Sequence, residues 1–430
     1  MSDNGRPELI PVRQRLWAKR LSDLEGQVDR RVRSSRLGGR IGPGFRVAVA
    51  VGSRGVANVD RIVAQVVRTV RALGGEPFVV PAMGSHGGGT AEGQVQILAE
   101  LGVTEARVGA PVRSSMAVDQ IGQTDDGMPV YCDRNALSAD AIVVVNRVKK
   151  HTDINAPLES GLIKMISIGL GKKAQADLIH AYGAPGLRRY IPLVARVTMA
   201  RAPIALGLAT LENGYEETAE LHAFEPEQIE DGERRLLGRN KRLLPRLPFE
   251  DIDVLIVDRM GKEISGTGMD TNVLGRYRIA GEPEPRRPRV KFVIVLDLTD
   301  ASHGNAIGVG LADLTTERLV AKIDREATYV NGITSGFLER AKIPITLPND
   351  REAIETALAR LSPPRRARPR VARIVDTLHL AEFAVSRPLL DETGAPLEVL
   401  GEARPLEFEG DGGLVPANGA HPHAREPVLA

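Results

Sequence analysis

At 430 residues, with 42% hydrophobic and 26% charged content, the chain has the make-up of a globular protein of two domains, at most three. A net charge of +2 offers no electrostatic case for nucleic acid or an anionic membrane as partner, and the longest apolar runs are strand-sized, too short for a membrane-spanning helix. The single cysteine, Cys132, excludes an internal disulfide framework, a thiolate-held iron–sulfur cluster and a multi-cysteine zinc site, so a metal would need histidine, carboxylate or donors brought by a cofactor.

Residues 1–44 are polar, rich in arginine and proline, and read as an N-terminal arm with a short helix near Arg13 to Lys19. Their start has no apolar core of a signal peptide, and a cytoplasmic protein is expected. Phe45 to Val51 reads as a strand. The loop Gly52-Ser53-Arg54-Gly55 then leads into an amphipathic helix with Val59, Ile62, Val63, Val66, Val67 and Val70 at helical spacing. Pro77 to Pro81 is a second buried strand, followed by the loop GSHGGGT and a helix capped by Thr90. This alternation predicts a parallel sheet with right-handed crossovers, in which ligands sit beyond the carboxyl ends of the strands.

Shorter strands are expected over 110–135, including Pro129 to Cys132, and a third fully buried strand over Ala141 to Val145. Three strand exits would then carry Arg54, His86 and His151 to one side of one sheet. Helices near 172–182 and 186–200 and a strand at Ile204 to Ala209 complete this half. The basic, proline-ended run GERRLLGRNKRLLPRLP (232–248) reads as an interdomain connection. A second α/β unit is expected from the strands Ile252 to Val257, Val290 to Leu298 and 371–377, with helices near 315–325 and 351–361 and a loose tail. The domains are therefore placed at 1–44 (arm), 45–248 and 249–430, both α/β with largely parallel sheets and the active site in the interdomain cleft.

Each candidate residue has an ordinary reading beside its functional one. GSHGGGT is a tight turn or an anion-binding loop around His86. Arg54 is a solvated arginine or a bidentate carboxylate clamp. Lys164 lies in the apolar, glycine-marked run GLIKMISIGLG, where a charge is costly to bury unpartnered, so something is expected to meet it. His151 and His180 flank that run and read either as surface and helical histidines or as part of the same site. There is no Walker A sequence, no HExxH, no GxSxG and no GxGxxG with a following ribose-binding acid.

Taken together, Arg54 in the first strand-exit loop, His86 in a G-S-H loop, and His151, Lys164 and His180 resemble the nickel-dependent lactate racemase family, including the interval of sixteen residues from Lys164 to His180. The resemblance spans most of the chain. It implies that Lys164 anchors a nickel pincer nucleotide (pyridinium-3-thioamide-5-thiocarboxylic acid mononucleotide), that His180 is the protein's nickel ligand, and that His86 and His151 are the acid–base pair. Arg54 would hold the substrate carboxylate, and Ser53 and Ser85 would contact the cofactor. In the second domain Lys262, Asp270 and Asn272 would contact the substrate, while His303 has no assigned role.

Two departures from the family's pattern stand out. The family reads H-x-x-(A/S)-G-x-x-G-G-x-K, whereas thirteen residues separate His151 from Lys164 and Pro157, Leu158 and Glu159 stand as extra residues. Asp270-Thr271-Asn272 matches a second-domain motif, but Leu274 and Gly275 replace its Tyr and Gln, so a substrate other than lactate is expected. The implied function is racemisation or epimerisation of a 2-hydroxy acid by reversible hydride transfer, with cofactor-synthesis enzymes as partners. The alternatives are a nucleotide- or hydroxyacid-binding protein without racemase activity and a dehydrogenase-like oxidoreductase.

Overall fold

The computed structural model describes residues 6–53 and 55–416. The chain divides into two compact units, 17–244 and 1–16 with 245–430, and both are α/β. Its first strand, β1 (Glu8–Gln14), belongs to the second of these units. The expected short helix near Arg13 to Lys19 is absent: the strand ends at Gln14 and is buried on both faces, Leu9 in one core and Ile10 and Val12 in another. The first helix instead spans Leu24–Ser34, capped by the Asp23 side chain. The expected arm is thus a strand of one unit followed by a helix of the other.

In the unit 17–244 the strands are β2 (Arg46–Val51), β3 (Glu76–Pro81), β4 (Val118–Gln123), β5 (Pro129–Asp133), β6 (Ala141–Arg147), β7 (Ile204–Glu212) and β8 (Thr218–Phe224). Five form one sheet in the order β3-β2-β6-β7-β8, parallel except for the edge strand β8, and β4 with β5 forms a separate antiparallel pair. Strands β2, β3 and β6 are apolar on both faces because helices cover both sides. The helix Val59–Ala72 buries the stripe Val59, Ile62, Val63, Val66, Val67 and Val70 against that sheet. The Thr90 side chain accepts the Gly93 N–H at 3.1 Å and starts the helix Ala91–Glu100, as the sequence predicts.

The run expected as an interdomain connection is for the most part a helix, Ile229–Leu243, which buries Glu233, Leu236, Leu237 and Asn240. Its arginines are exposed, so a basic composition concealed an amphipathic helix. The boundary between the units falls at Leu244 and Pro245.

The other unit holds β9 (Asp251–Val257), β10 (Arg289–Val295), β11 (Leu314–Thr316), β12 (Ile345–Leu347), β13 (Val371–Ile374), β14 (Glu382–Ser386), β15 (Leu397–Val399) and β16 (Arg404–Pro405). The sheet order is β12-β11-β10-β9-β13-β14-β1-β15, with β16 beside β1. Pairings from β12 to β13 are parallel and those beyond are antiparallel. The helix expected near 315–325 is two, Glu317–Ala321 and Arg325–Ser335, because Asp324 caps a new start. Of the tail expected to be loose, residues 417–430 lie outside the described residues. Among the described residues no helix is long and apolar enough to cross a membrane.

Candidate functional site

The sheet register sets the site. Val51 pairs with Pro81 on one side and with Val145 on the other, so three parallel strands end at one level and their loops leave the same edge. Neighbouring strands are about 4.8 Å apart, so the three exits start within roughly 10 Å. The loops carry Ser53, then Ser85 and His86, then His151. Arg54 lies outside the described residues.

His86 is exposed and extended, just before the tight Gly87–Gly89 turn, and its Nδ1 is hydrogen-bonded to Ser53 Oγ. Its loop hangs from Gln94, a buried residue whose Nε2 donates to Gly84 O at 3.0 Å and to His86 O at 3.4 Å. Gly84 adopts φ +60, and a Cβ there would lie 2.9 Å from Ile168 Cγ2. Glycine thus permits both the turn and the close approach of the Lys164 segment. Ser85 is half-buried beside His86.

Lys164 closes a single helical turn, Leu162–Lys164, that runs into a π-helical turn, Met165–Gly169, marked by Leu170 N–H donating to Met165 O at 2.8 Å. Such turns re-aim side chains and recur at functional sites. From Gly161 to Lys172 every residue is buried except Lys164, which is half-buried. Its ammonium nitrogen lies 2.7 Å from His151 Nε2. That is the partner the sequence required.

His151 is fixed at several points. Its N–H donates to Glu159 Oε2 at 2.8 Å, and its Nδ1 accepts the Asp153 N–H at 2.9 Å. Lys149 N–H donates to Ser160 O at 3.0 Å and closes the base of this loop. Asn146, at the end of β6, donates to Gly161 O at 2.9 Å and ties the strand exit to the start of the Lys164 turn.

Below that turn, the Ile163 N–H donates to Glu233 Oε2 at 2.8 Å. Burial pushes the Glu233 carboxyl up to about 7, with the Ile163 and Leu162 N–H groups opposing. A Cβ on Gly161 would lie 2.4 Å from Glu233 Cδ, so glycine makes room for this carboxyl.

His180 ends the helix Lys172–His180 and is half-buried. Burial first, and then the Lys164 charge, hold its imidazole below the usual histidine range. This favours the uncharged imidazole, the form in which histidine binds a metal. The structure brings Ser53 to His86, His151 to Lys164, and Lys164 within electrostatic range of His180.

Three other expected residues, Lys262, Asp270 and Asn272, lie in the other unit. Lys262 Nζ donates to Gly266 O at 2.7 Å. Asp270 caps its own short helix, accepting from Asn272 N at 2.8 Å and Asn272 Nδ2 at 3.0 Å. His303 has φ +47 at the end of a tight turn.

Sequence reading missed Lys172. It is fully buried, adopts φ +53, and pairs with Asp133 Oδ2 at 2.9 Å. It also donates to Pro81 O and, at 3.1 Å, to Gln94 Oε1. Lys172 thus joins the end of β3, the Gln94 support of the His86 loop and the β4–β5 pair. The available signal was a second lysine at the end of the same apolar run. Neighbouring Cys132 is buried, and burial together with Asp133 pushes its thiol up to about 12.

The family model of the lactate racemase N-terminal domain matches residues 20–182, which contain Ser53, Ser85, His86, His151, Lys164 and His180. That match covers less than half of the chain. Among solved structures, the chain is similar to the lactate racemase apoprotein from Thermoanaerobacterium thermosaccharolyticum, at 13% identity and TM-score 0.49, with 80% of this chain and 85% of that one covered. It is also similar to a protein from Thermotoga maritima, at 15% identity and TM-score 0.48, covering 66% and 72%. No curated protein matches the sequence. The matched region ends two residues beyond His180.

Proposed function

We propose that the protein is a racemase or epimerase of a 2-hydroxy acid other than lactate, using a nickel pincer nucleotide held by Lys164. The observation that carries this reading is the Lys164–His151 contact of 2.7 Å inside the region that matches the lactate racemase N-terminal domain model. The residues fit the implied group. Among the described residues no three His, Cys, Asp or Glu side chains converge to hold a metal, so a metal here would draw donors from a bound organic group. His180, whose uncharged form is favoured, is the one protein ligand proposed, and Lys164 is the sole residue of its buried run that keeps its side chain accessible.

When bound, such a group supplies a soft nickel site and an electrophilic carbon able to take and return a hydride. The chain's own residues supply the rest. His86 and His151 hold or release the substrate hydroxyl proton, one for each enantiomer, a task suited to groups that titrate near neutrality. Ser53 orients the His86 ring through Nδ1. Ser53 and Ser85 are proposed to contact the cofactor. Arg54 is proposed to hold the substrate carboxylate and so to keep the oxidised intermediate bound. Lys262, Asp270 and Asn272 are proposed as substrate contacts.

Intact mass and nickel content of protein made together with the cofactor-synthesis enzymes test this reading. A mass addition mapping to Lys164, with bound nickel, is expected; neither appearing would overturn it. His180→Ala should lose nickel and keep the adduct. His86→Ala and His151→Ala should each slow racemisation by about 100-fold or more, and unchanged rates in both would remove the acid–base assignment.

A further inference from the structure

Glu159 is one of the three residues that look inserted between His151 and Lys164, and it is almost completely buried, at 1% exposure. A buried carboxylate is tolerated only where its oxygens are matched by donors. Glu159 Oε2 accepts the His151 N–H at 2.8 Å, and Oε1 accepts the Ala156 N–H at 3.0 Å and pairs with Lys241 Nζ at 2.5 Å. Lys241 also donates to Ala156 O at 2.9 Å, and the Lys150 N–H donates to Asn240 Oδ1 at 2.9 Å. Both ends of the 150–159 loop are therefore fastened to the last turns of the helix Ile229–Leu243.

The ring of His151 feels this fastening. With its backbone N–H held by Glu159, the following turn brings the Asp153 N–H to Nδ1 at 2.9 Å and leaves Nε2 facing Lys164. The two ring nitrogens thus face different groups, Nδ1 the Asp153 N–H and Nε2 the Lys164 Nζ, so the neutral ring is held in a single tautomer.

We propose that Glu159, backed by Lys241, is a positioning residue that fixes the orientation and the tautomer of His151. The extra residues form the clamp of this acid–base group. The proposal rests on the racemase reading only for its effect on turnover; its effect on the ring is independent of that reading.

The experiment is nitrogen-15 NMR of histidine-labelled protein, with His151→Gln assigning the His151 signals. In the wild-type protein the His151 ring should show two well-separated nitrogen signals, one protonated and one unprotonated, of a single tautomer. Glu159→Gln places an NH2 group against at least one of its three donors, and the signals should collapse toward averaged tautomers. Lys241→Met removes one partner and leaves the carboxylate, so it covers failure of Glu159→Gln to fold; Lys241→Arg should restore the wild-type pattern. In cofactor-loaded protein, Glu159→Gln should keep the Lys164 adduct and nickel while kcat falls by roughly ten- to a hundredfold with little change in KM.

Wild-type ring signals and wild-type kcat in both Glu159→Gln and Lys241→Met would overturn the proposal. If the wild-type protein has neither adduct nor racemase activity, the racemase reading fails, and the ring signals alone still decide the clamp.

Discussion

Lys164 and Lys172 stand eight residues apart in one apolar run, yet their surroundings differ. Lys164 is half-buried beside an imidazole, whereas Lys172 is sealed in with a carboxylate. Burial pushes the Lys172 ammonium toward its neutral form and Asp133 opposes this, so removing either partner leaves the other an uncompensated buried charge or donor. Lys172→Met should destabilise the unit by about 3–5 kcal/mol, measured by urea unfolding. A loss below about 1 kcal/mol would mean that the pair is replaceable by packing. The sequence showed that a lysine in this run needs a partner. It did not show that two lysines had two different partners, because Asp133, at the end of β5, and His151, in the loop after β6, reach them only through the fold.

At the scale of elements, the helix Ile229–Leu243 does more for the site than its composition suggests. Glu233, Leu237, Asn240 and Lys241 lie at i, i+4, i+7 and i+8, one face of the helix. Glu233 receives the Ile163 N–H at the start of the Lys164 turn, and Asn240 and Lys241 hold the His151 loop. The Glu233 carboxyl, raised to about 7 in the folded protein against an ordinary 4.5, binds its proton more tightly folded than unfolded. Its contribution to stability is therefore fully present below pH 4.5 and is lost as pH rises toward about 7.

Glu233→Gln should flatten that part of the profile, removing a pH-dependent loss on the order of 3 kcal/mol. Thermal melts of both proteins across that range check this, and parallel profiles would show that Glu233 titrates normally. Gly161→Ala, whose Cβ would press on the same carboxyl, should cost about 1–3 kcal/mol, read by denaturant unfolding. The sequence marked this helix as a connection because the run 232–248 is basic and ends in proline. Its buried polar positions acquire meaning only from the loops they meet.

At the scale of the molecule, β1 lies between β14 and β15 in the sheet of the unit that resumes at Pro245. It contributes Ile10 and Val12 to that unit's core. Deleting residues 1–16 should therefore destabilise this unit by exposing the edge of β14 and promote association through it, while the unit 17–244 keeps its own cooperative transition. Calorimetry would resolve the two effects; an unchanged thermogram would show that β1 is dispensable.

Much of the frame was determined by local pattern. Apolar runs at strand length, the valine stripe of Val59–Ala72, the Thr90 cap and the alternation of strand and helix required a parallel α/β sheet with its loops at one edge. What needed tertiary structure was everything set by partners distant in sequence: the strand at Glu8–Gln14, the helix inside a basic run, the Lys172–Asp133 pair, and the clamp on His151. Lys164 drew notice as a charge in an apolar run because that cost is local. Glu159 looked like an insertion because its Lys241 partner, 82 residues on, is brought to it only by the fold.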